Sequence, residues 1–392
     1  MKNGLGGGPL RHLEMELARL EEEGLLRVPV AGSGAGGLRA SELLVLCSND
    51  YLGYASEPLG LEGISELAEV PGGAGASRLV SGDHEAHWLA EQELARWLGV
   101  EAALLFSSGY AANVGVIAAL ARPGDRIISD ALNHASLIDG CRLSGASVTV
   151  TPHCDAGEVE RALVEDGGAS QRRWVVTESY FSMDGDVPDL RRLRSICDAH
   201  DAALVVDEAH AIGVFGPRGA GLCAEAQIRA DVIIATLGKA LGVQGAFAAG
   251  SSVLRTYLWN RARSFVFSTG MSPLLAVAVA GRARRAALDD AGRRRLHWVS
   301  EHLRRGLSVI FPGQVRGSRG PVIPLIVGAS STALDLSKRL RDQGVLVQAI
   351  RPPTVPRDTA RLRVTASANL SDSDIAHALE TFASAAAASC FT

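Results

Sequence analysis

The 392-residue chain is 47% hydrophobic, long enough for two domains, or one large domain with a satellite, around a substantial core. Its formal net charge of −4 argues against a general nucleic-acid binder. No apolar stretch approaches the ~18 residues of a membrane span, and the glycine-rich start Met1 to Gly8 lacks a secretory apolar core. Cys47, Cys141, Cys154, Cys197, Cys223 and Cys390 form no CxxC pair and no zinc spacing, which suits a reducing cytoplasm.

Residues 10–26 carry Leu13, Leu17, Leu20 and Leu25 near helical spacing between charges, and predict an amphipathic helix. A Gly/Ala/Ser loop over 31–37 leads to a short strand at 43–47 and the run Asn49-Asp50-Tyr51-Leu52-Gly53. Beyond Pro71, a glycine-rich stretch precedes a helix over 84–98. From Ala102 the pattern becomes βα repeats. Apolar runs at 102–106, 126–128, 147–150, 174–177, 203–206, 232–235 and 246–249 are separated by helix-length stretches. That alternation predicts a mostly parallel seven-stranded sheet covered by helices on both faces.

Beyond about residue 275 the rhythm changes. An Arg-rich helical segment leads to a strand at 324–327, a helix near 332–343, a strand at 345–350, a Pro-rich loop at 351–356, a strand at 361–365 and a last helix from about 371. These predict a smaller α+β domain. The expected division is an N-terminal helix and small-domain segment over 1–50, a large domain over 51–280 and a C-terminal domain over 281–392. The arginine clusters at 191–194, 282–285 and 293–295 sit in mixed-charge helical segments and read as solvated helix faces.

Open α/β sheets place their chemistry at strand ends. Ser107-Ser108-Gly109-Tyr110-Ala111-Ala112-Asn113 follows one strand and opens a helix. Free backbone N–H groups at such a start bind phosphate, Gly109 lets the anion approach, and Tyr110 can lie along a flat ring. An ordinary βα turn would look the same. Asn133-His134-Ala135-Ser136 follows another strand, and His134 is either structural or a stacking surface for a pyridine ring. Asp207-Glu208-Ala209-His210 follows the apolar run 202–206. A carboxylate at Asp207 needs a cationic partner, which a pyridinium nitrogen would supply; an N-cap or a buried salt bridge is the plain alternative. His210 could reach the phenolic oxygen of such a ring, and so could Ser182 in Phe181-Ser182-Met183-Asp184-Gly185-Asp186.

Lys239, in Thr236-Leu237-Gly238-Lys239-Ala240-Leu241-Gly242, is flanked by small residues just past a buried-looking strand. Desolvation there lowers a lysine's pKa and makes its amine a nucleophile able to form a Schiff base. Phosphate turn, stacking histidine, acid, histidine and lysine, in that order across successive strands, are what pyridoxal 5'-phosphate (PLP) requires. No metal is expected.

With these motifs, and with Ser77-Arg78-Leu79-Val80-Ser81-Gly82 and Thr177-Glu178-Ser179-Tyr180, the chain resembles the α-oxoamine synthases from about Asn49 to about Thr365. The resemblance implies the PLP-dependent transferase fold of the aspartate-aminotransferase type (fold type I). It implies Lys239 as the tethering lysine, Asp207 under the pyridine nitrogen, His134 stacked on the ring, and Ser182 and His210 near its phenolic oxygen. Gly109, Tyr110 and Thr236 would hold the phosphate, with Ser268 and Thr269 arriving from the second subunit of a homodimer. Arg363 would hold the amino-acid carboxylate, and Arg27, Asn49 and Thr354 would line the substrate path.

The loop 351–356 and Thr359-Ala360-Arg361-Leu362-Arg363 resemble the members that join L-alanine to a pimeloyl thioester, on CoA or on an acyl carrier protein, in biotin synthesis. A glycine-using member of the family is the nearest competing reading. A non-catalytic subunit of this fold is another, though such a subunit would lack the lysine. The sequence departs from the family pattern at Ala76, Ala246, Arg357-Asp358 and Ser367-Ala368-Asn369, and no departure removes a catalytic group.

Overall fold

The computed structural model describes residues 10–26, 39–40, 43–58, 70–317 and 319–387. The strands, in chain order, are β1 (Arg39–Ala40), β2 (Leu43–Val45), β3 (Ala102–Phe106), β4 (Arg126–Asp130), β5 (Ser147–Thr151), β6 (Arg173–Glu178), β7 (Ala202–Asp207), β8 (Val232–Thr236), β9 (Ala246–Gly250), β10 (Val322–Gly328), β11 (Val345–Leu346), β12 (Gln348–Ile350) and β13 (Ala360–Thr365). Each of the seven apolar runs expected between 102 and 249 forms a strand, and together they make one sheet, ordered β3-β9-β8-β7-β6-β4-β5. Strands β8, β7, β6, β4 and β5 run parallel, while β9 is antiparallel to both of its neighbours.

The register lines up the carboxyl ends. Glu178 pairs with Asp207 across β6 and β7, and Thr236 and Phe106 both pair with Ala246. The ends of β3, β4, β6, β7 and β8 therefore share one rim, where the parallel sheet leaves room for chemistry. Central strands such as β9 are buried along their whole length, which explains their continuous apolar runs.

Two further three-stranded sheets are β10-β13-β12, all from the C-terminal part, and β1-β2-β11, in which β1 and β2 of the N-terminal segment join β11. The stretch read as one strand at 345–350 is two: β11 pairs parallel with β2, and β12 pairs antiparallel with β13. A single apolar run cannot show that its halves join different sheets. Asp358 adopts φ +61°, a left-handed conformation that Asp tolerates better than most residues.

The arginine clusters are not all solvated. Arg282 and Arg293 are buried, at 7% and 6% exposure. Arg282 donates to Glu57 Oε2 (2.8 Å) and to the Tyr54 carbonyl (3.0 Å), while Tyr54 Oη donates to Asp289 (2.7 Å). These contacts pin the segment after Asn49 onto the helix Pro273–Leu288. Helical periodicity reports a polar residue without saying whether a distant chain segment covers it.

Gly242 holds φ +64°, and a Cβ there would lie 2.4 Å from Ala55 N and 2.7 Å from the Tyr54 carbonyl carbon. Both obstacles are backbone. Gly242→Ala is expected to lower stability by about 2 kcal/mol or more, read as a fall in the urea unfolding midpoint.

Candidate active site

The loop between β8 and β9 is closed by its own backbone. Leu237 N donates to Gly245 O (2.9 Å), Val243 N to Leu237 O (3.0 Å) and Gly242 N to Lys239 O (3.0 Å). This turn fixes Lys239, half-buried, with Nζ 2.7 Å from His210 Nε2. His210 is itself buried, and its Nδ1 lies 2.6 Å from Tyr51 Oη. Tyr51 Oη donates to Asn49 Oδ1 (3.2 Å), which also accepts from Arg363 (3.0 Å). One chain of contacts thus runs Lys239–His210–Tyr51–Asn49–Arg363.

Burial depresses the Lys239 pKa, although Asp207 and Glu178 oppose the shift. Burial, helped by the Lys239 charge, also keeps His210 well below the usual histidine range. A neutral His210 with hydrogen on Nδ1 donates to Tyr51 and leaves Nε2 to accept from Lys239, so the chain of donors is consistent.

A second chain reaches Asp207 from the opposite side. Asn113 Nδ2 donates to Asp207 Oδ2 (2.7 Å) and to Ser136 Oγ (2.9 Å), and Ser136 Oγ lies 2.7 Å from His134 Nδ1. Ala209 N donates to the other Asp207 oxygen (2.8 Å). His134 is exposed, and its backbone N–H donates to Glu178 Oε1 (2.7 Å). Burial first, then the Asp207 charge, pushes the Glu178 carboxyl well above the ordinary range.

The turn after β3 is a helix start. Ser108 caps it, its Oγ accepting from Ala111 N (3.1 Å). A Cβ on Gly109 would lie 3.5 Å from Thr236 Cβ, so the helix N-terminus and Thr236 face each other. The Tyr110 hydroxyl donates to Asp139, which turns the side chain across the exposed helix surface. Ser268 and Thr269 line a cleft with Arg78, Phe106 and Ser107 of the same chain.

Ser182 lies on the Phe181–Asp186 turn, and its carbonyl accepts from Arg363 Nε (2.5 Å). The remaining guanidinium nitrogen of Arg363 is buried without a partner. Thr354 is exposed on the loop 351–356, its N–H donating to the Arg351 carbonyl (3.1 Å). Arg27 lies outside the described residues.

Lys239, His210, Asn49, Arg363 and Ser182 therefore fall in one chain of contacts, Asp207 and His134 in a second, and Gly109 faces Thr236. Tyr51 joins the first chain and Asn113 and Glu178 the second, and the sequence patterns give no role for them. Their motifs were visible, but a hydrogen bond between residues 94 or 159 positions apart leaves no sequence trace.

The donor set fits PLP. A buried carboxylate suits the pyridine nitrogen, a capped helix start beside Thr236 suits a phosphate, and a desolvated lysine suits the aldehyde. Asn113→Ala would leave the buried Asp207 carboxylate short of a donor. It is expected to cost about 1–3 kcal/mol in urea unfolding of the cofactor-free protein.

Residues 41–382 match the model of the aminotransferase class I and II family. The chain is 44% identical over 382 residues to 8-amino-7-oxononanoate synthase of Marinobacter nauticus, covering 95% of this chain and 96% of that protein. Other relatives at 40% to 45% identity carry the same name. Sphingomonas wittichii serine palmitoyltransferase superposes with a TM-score of 0.90 at 28% identity, covering 97% of this chain and 99% of that one. A solved structure described as SPT with PLP superposes at 0.88 with 26% identity, covering 97% and 98%. The chain belongs to the class I and II aminotransferase family of PLP-dependent enzymes, within its α-oxoamine synthase branch.

Proposed function

We propose that this enzyme condenses L-alanine with a pimeloyl thioester, releasing CO2 and free thiol, to give 8-amino-7-oxononanoate for biotin synthesis. The observation that carries the reading is the desolvated Lys239 amine, held 2.7 Å from His210 on the rim shared with Asp207. Identity of 44% across nearly the whole length of a relative named for this product supports the choice of substrates.

When bound, PLP supplies an electron sink for negative charge at the amino-acid α-carbon. Asp207 would stand as counter-ion to the ring nitrogen, with Asn113 and Ala209 N fixing its two oxygens. The helix start at Gly109 and Tyr110, with Thr236, would hold the phosphate. His134 would cover one ring face, and Ser182 and His210 would reach the phenolic oxygen. Lys239 Nζ would tether the cofactor, then take the α-proton of alanine and later return one. The unpartnered nitrogen of Arg363 would receive the alanine carboxylate, with Asn49 and the Ser182 carbonyl holding the guanidinium in place.

The acyl donor is pimeloyl-CoA or the pimeloyl carrier protein, entering past Thr354, and Arg27 is carried over from the family as a further contact. The working unit is a homodimer in which Ser268 and Thr269 reach the partner's phosphate. Exposed Val80, Tyr110, Leu132 and Phe267, beside the segments that carry the site, support a covering second chain. A cytoplasmic setting is supported by Cys47, Cys141, Cys154, Cys197 and Cys223, which are all free thiols. Among the described residues, no helix is long and apolar enough to cross a membrane.

Mass spectrometry of products from alanine or glycine with acetyl, pimeloyl and longer thioesters tests the reading; alanine with pimeloyl thioester is expected to dominate. Lys239→Ala is expected to lose more than about a thousandfold in kcat, since the residue serves as both tether and base. Turnover retained by that variant would remove the assignment.

The pH dependence follows from the lysine. The reactive form is the neutral amine, and a depressed pKa makes it available at lower pH than the ordinary lysine value of 10.5. Uptake of PLP by the cofactor-free protein, followed by absorbance, is expected to rise with pH and level off below that value.

A further inference from the structure

Outside the network just described, His153 sits between two carboxylates. Its Nδ1 lies 2.8 Å from Asp130 Oδ1 and its Nε2 lies 2.7 Å from Asp186 Oδ2. A neutral imidazole has one N–H, so satisfying both acceptors takes the doubly protonated ring. Burial works against that charge, yet hydrogen bonds to the two carboxylates, and to the Cys154 sulfur 3.5 Å from Nε2, raise the His153 pKa to about 12. The ring also packs edge-on against Phe181, with centroids 4.4 Å apart. Its side chain is 21% exposed.

Both carboxylates belong to turns that carry proposed site residues. Asp130 ends β4, and its Oδ1 accepts from Leu132 N (2.8 Å) while its backbone carbonyl accepts from Asn133 N (3.2 Å), shaping the turn that leads into His134. Asp186 closes the turn of Ser182, its backbone carbonyl accepting from Phe181 N (3.1 Å). Arg363 braces the same turn through the Ser182 carbonyl, and Arg361 does so through Asp184. Without His153, no hydrogen bond among these residues spans the two turns.

We propose that His153 is a positioning residue: by bridging Asp130 and Asp186, its ring locks the turn that presents His134 to the turn that presents Ser182. The inference rests on the proposed placement of His134 and Ser182 against the cofactor. A misplaced group costs rate steeply, because catalysis depends on sub-ångström orientation.

The test uses full-length, PLP-saturated His153→Ala. Expected are a fall in kcat of roughly 10- to 100-fold, a smaller change in KM for alanine, a shift in the visible absorbance of the bound cofactor, and partial recovery on adding imidazole. In a Ser182→Ala background the same substitution should cost less than it does in the wild type, because part of its effect runs through the Ser182 turn. Unchanged kcat and spectrum overturn the proposal. So does a loss that adds fully to that of Ser182→Ala, which marks action independent of the Ser182 turn, or one that only tracks a lower unfolding midpoint with an unaltered spectrum, which marks a purely structural role.

Asp130, His153 and Cys154 have ligand atoms within 4.8 Å of one another. Stoichiometric divalent metal in the wild type that His153→Ala loses would therefore make the ring a ligand, and it also overturns the proposal. If His153→Ala does not fold, Asp186→Asn, which keeps an acceptor but removes its charge, should show the same pattern at smaller size; no spectral shift there counts against the bridge. Lys239→Ala measured in parallel separates the two readings. Turnover retained by Lys239→Ala fails the site assignment, whereas a silent His153→Ala beside an inactive Lys239→Ala fails only the bridge.

Discussion

Glu178 and Asp207 end adjacent strands in register, so two carboxylates meet at a buried rim. Like charges so placed repel, and desolvation penalises each of them. The arrangement is tolerable because burial and the Asp207 charge raise the Glu178 pKa so that it can keep its proton, because Lys239 shares the rim and attracts both groups, and because backbone and amide donors reach their oxygens. Asn113 and Ala209 N serve Asp207, and His134 N serves Glu178. Lys239 bears the opposite strain, an amine held where its charged form is poorly solvated. That tension makes it reactive, and the surrounding structure keeps it in place.

Much of the architecture can be read as support for this rim. The β8–β9 turn closes on itself around Lys239, and the segment after Asn49 lies against that turn closely enough that Gly242 has no room for a Cβ. That segment is held by Arg282, Arg285 and Asp289 from one side. Asn369 holds it from the other, donating to the Gly53 carbonyl (3.1 Å). The small sheets reach the site through Arg361 and Arg363 on β13, whose side chains grip the Ser182 turn. The site is thus assembled from both ends of the chain and its middle.

The motif Ser77 to Gly82 is anchored by a buried arginine. Arg78 is buried, donating to Asp83 (2.7 Å) and pairing with Glu91, with its guanidinium 5.0 Å from the Trp259 ring centroid. Gly270 N donates to the Ala76 carbonyl (2.9 Å) and seats the loop of Ser268 and Thr269 against this anchor.

The sequence by itself determined which strand ends carry the chemistry. Alternating apolar runs and helix-length stretches specified the seven-stranded sheet, and the polar residues just past those runs had to fall at the rim. Lys239, Asp207, His134 and the Gly109 turn were legible for that reason, because strand ends are local features. What only the tertiary structure decided were contacts between distant positions. Tyr51 meets His210, Asn113 meets Asp207, the run 345–350 divides between two sheets, and Arg282 and Arg293 are buried under segments far away in sequence. A side chain's local pattern fixes its face and its element. Its partner is set by how those elements pack, and that packing turns a lysine in a small-residue turn into the amine this site is built around.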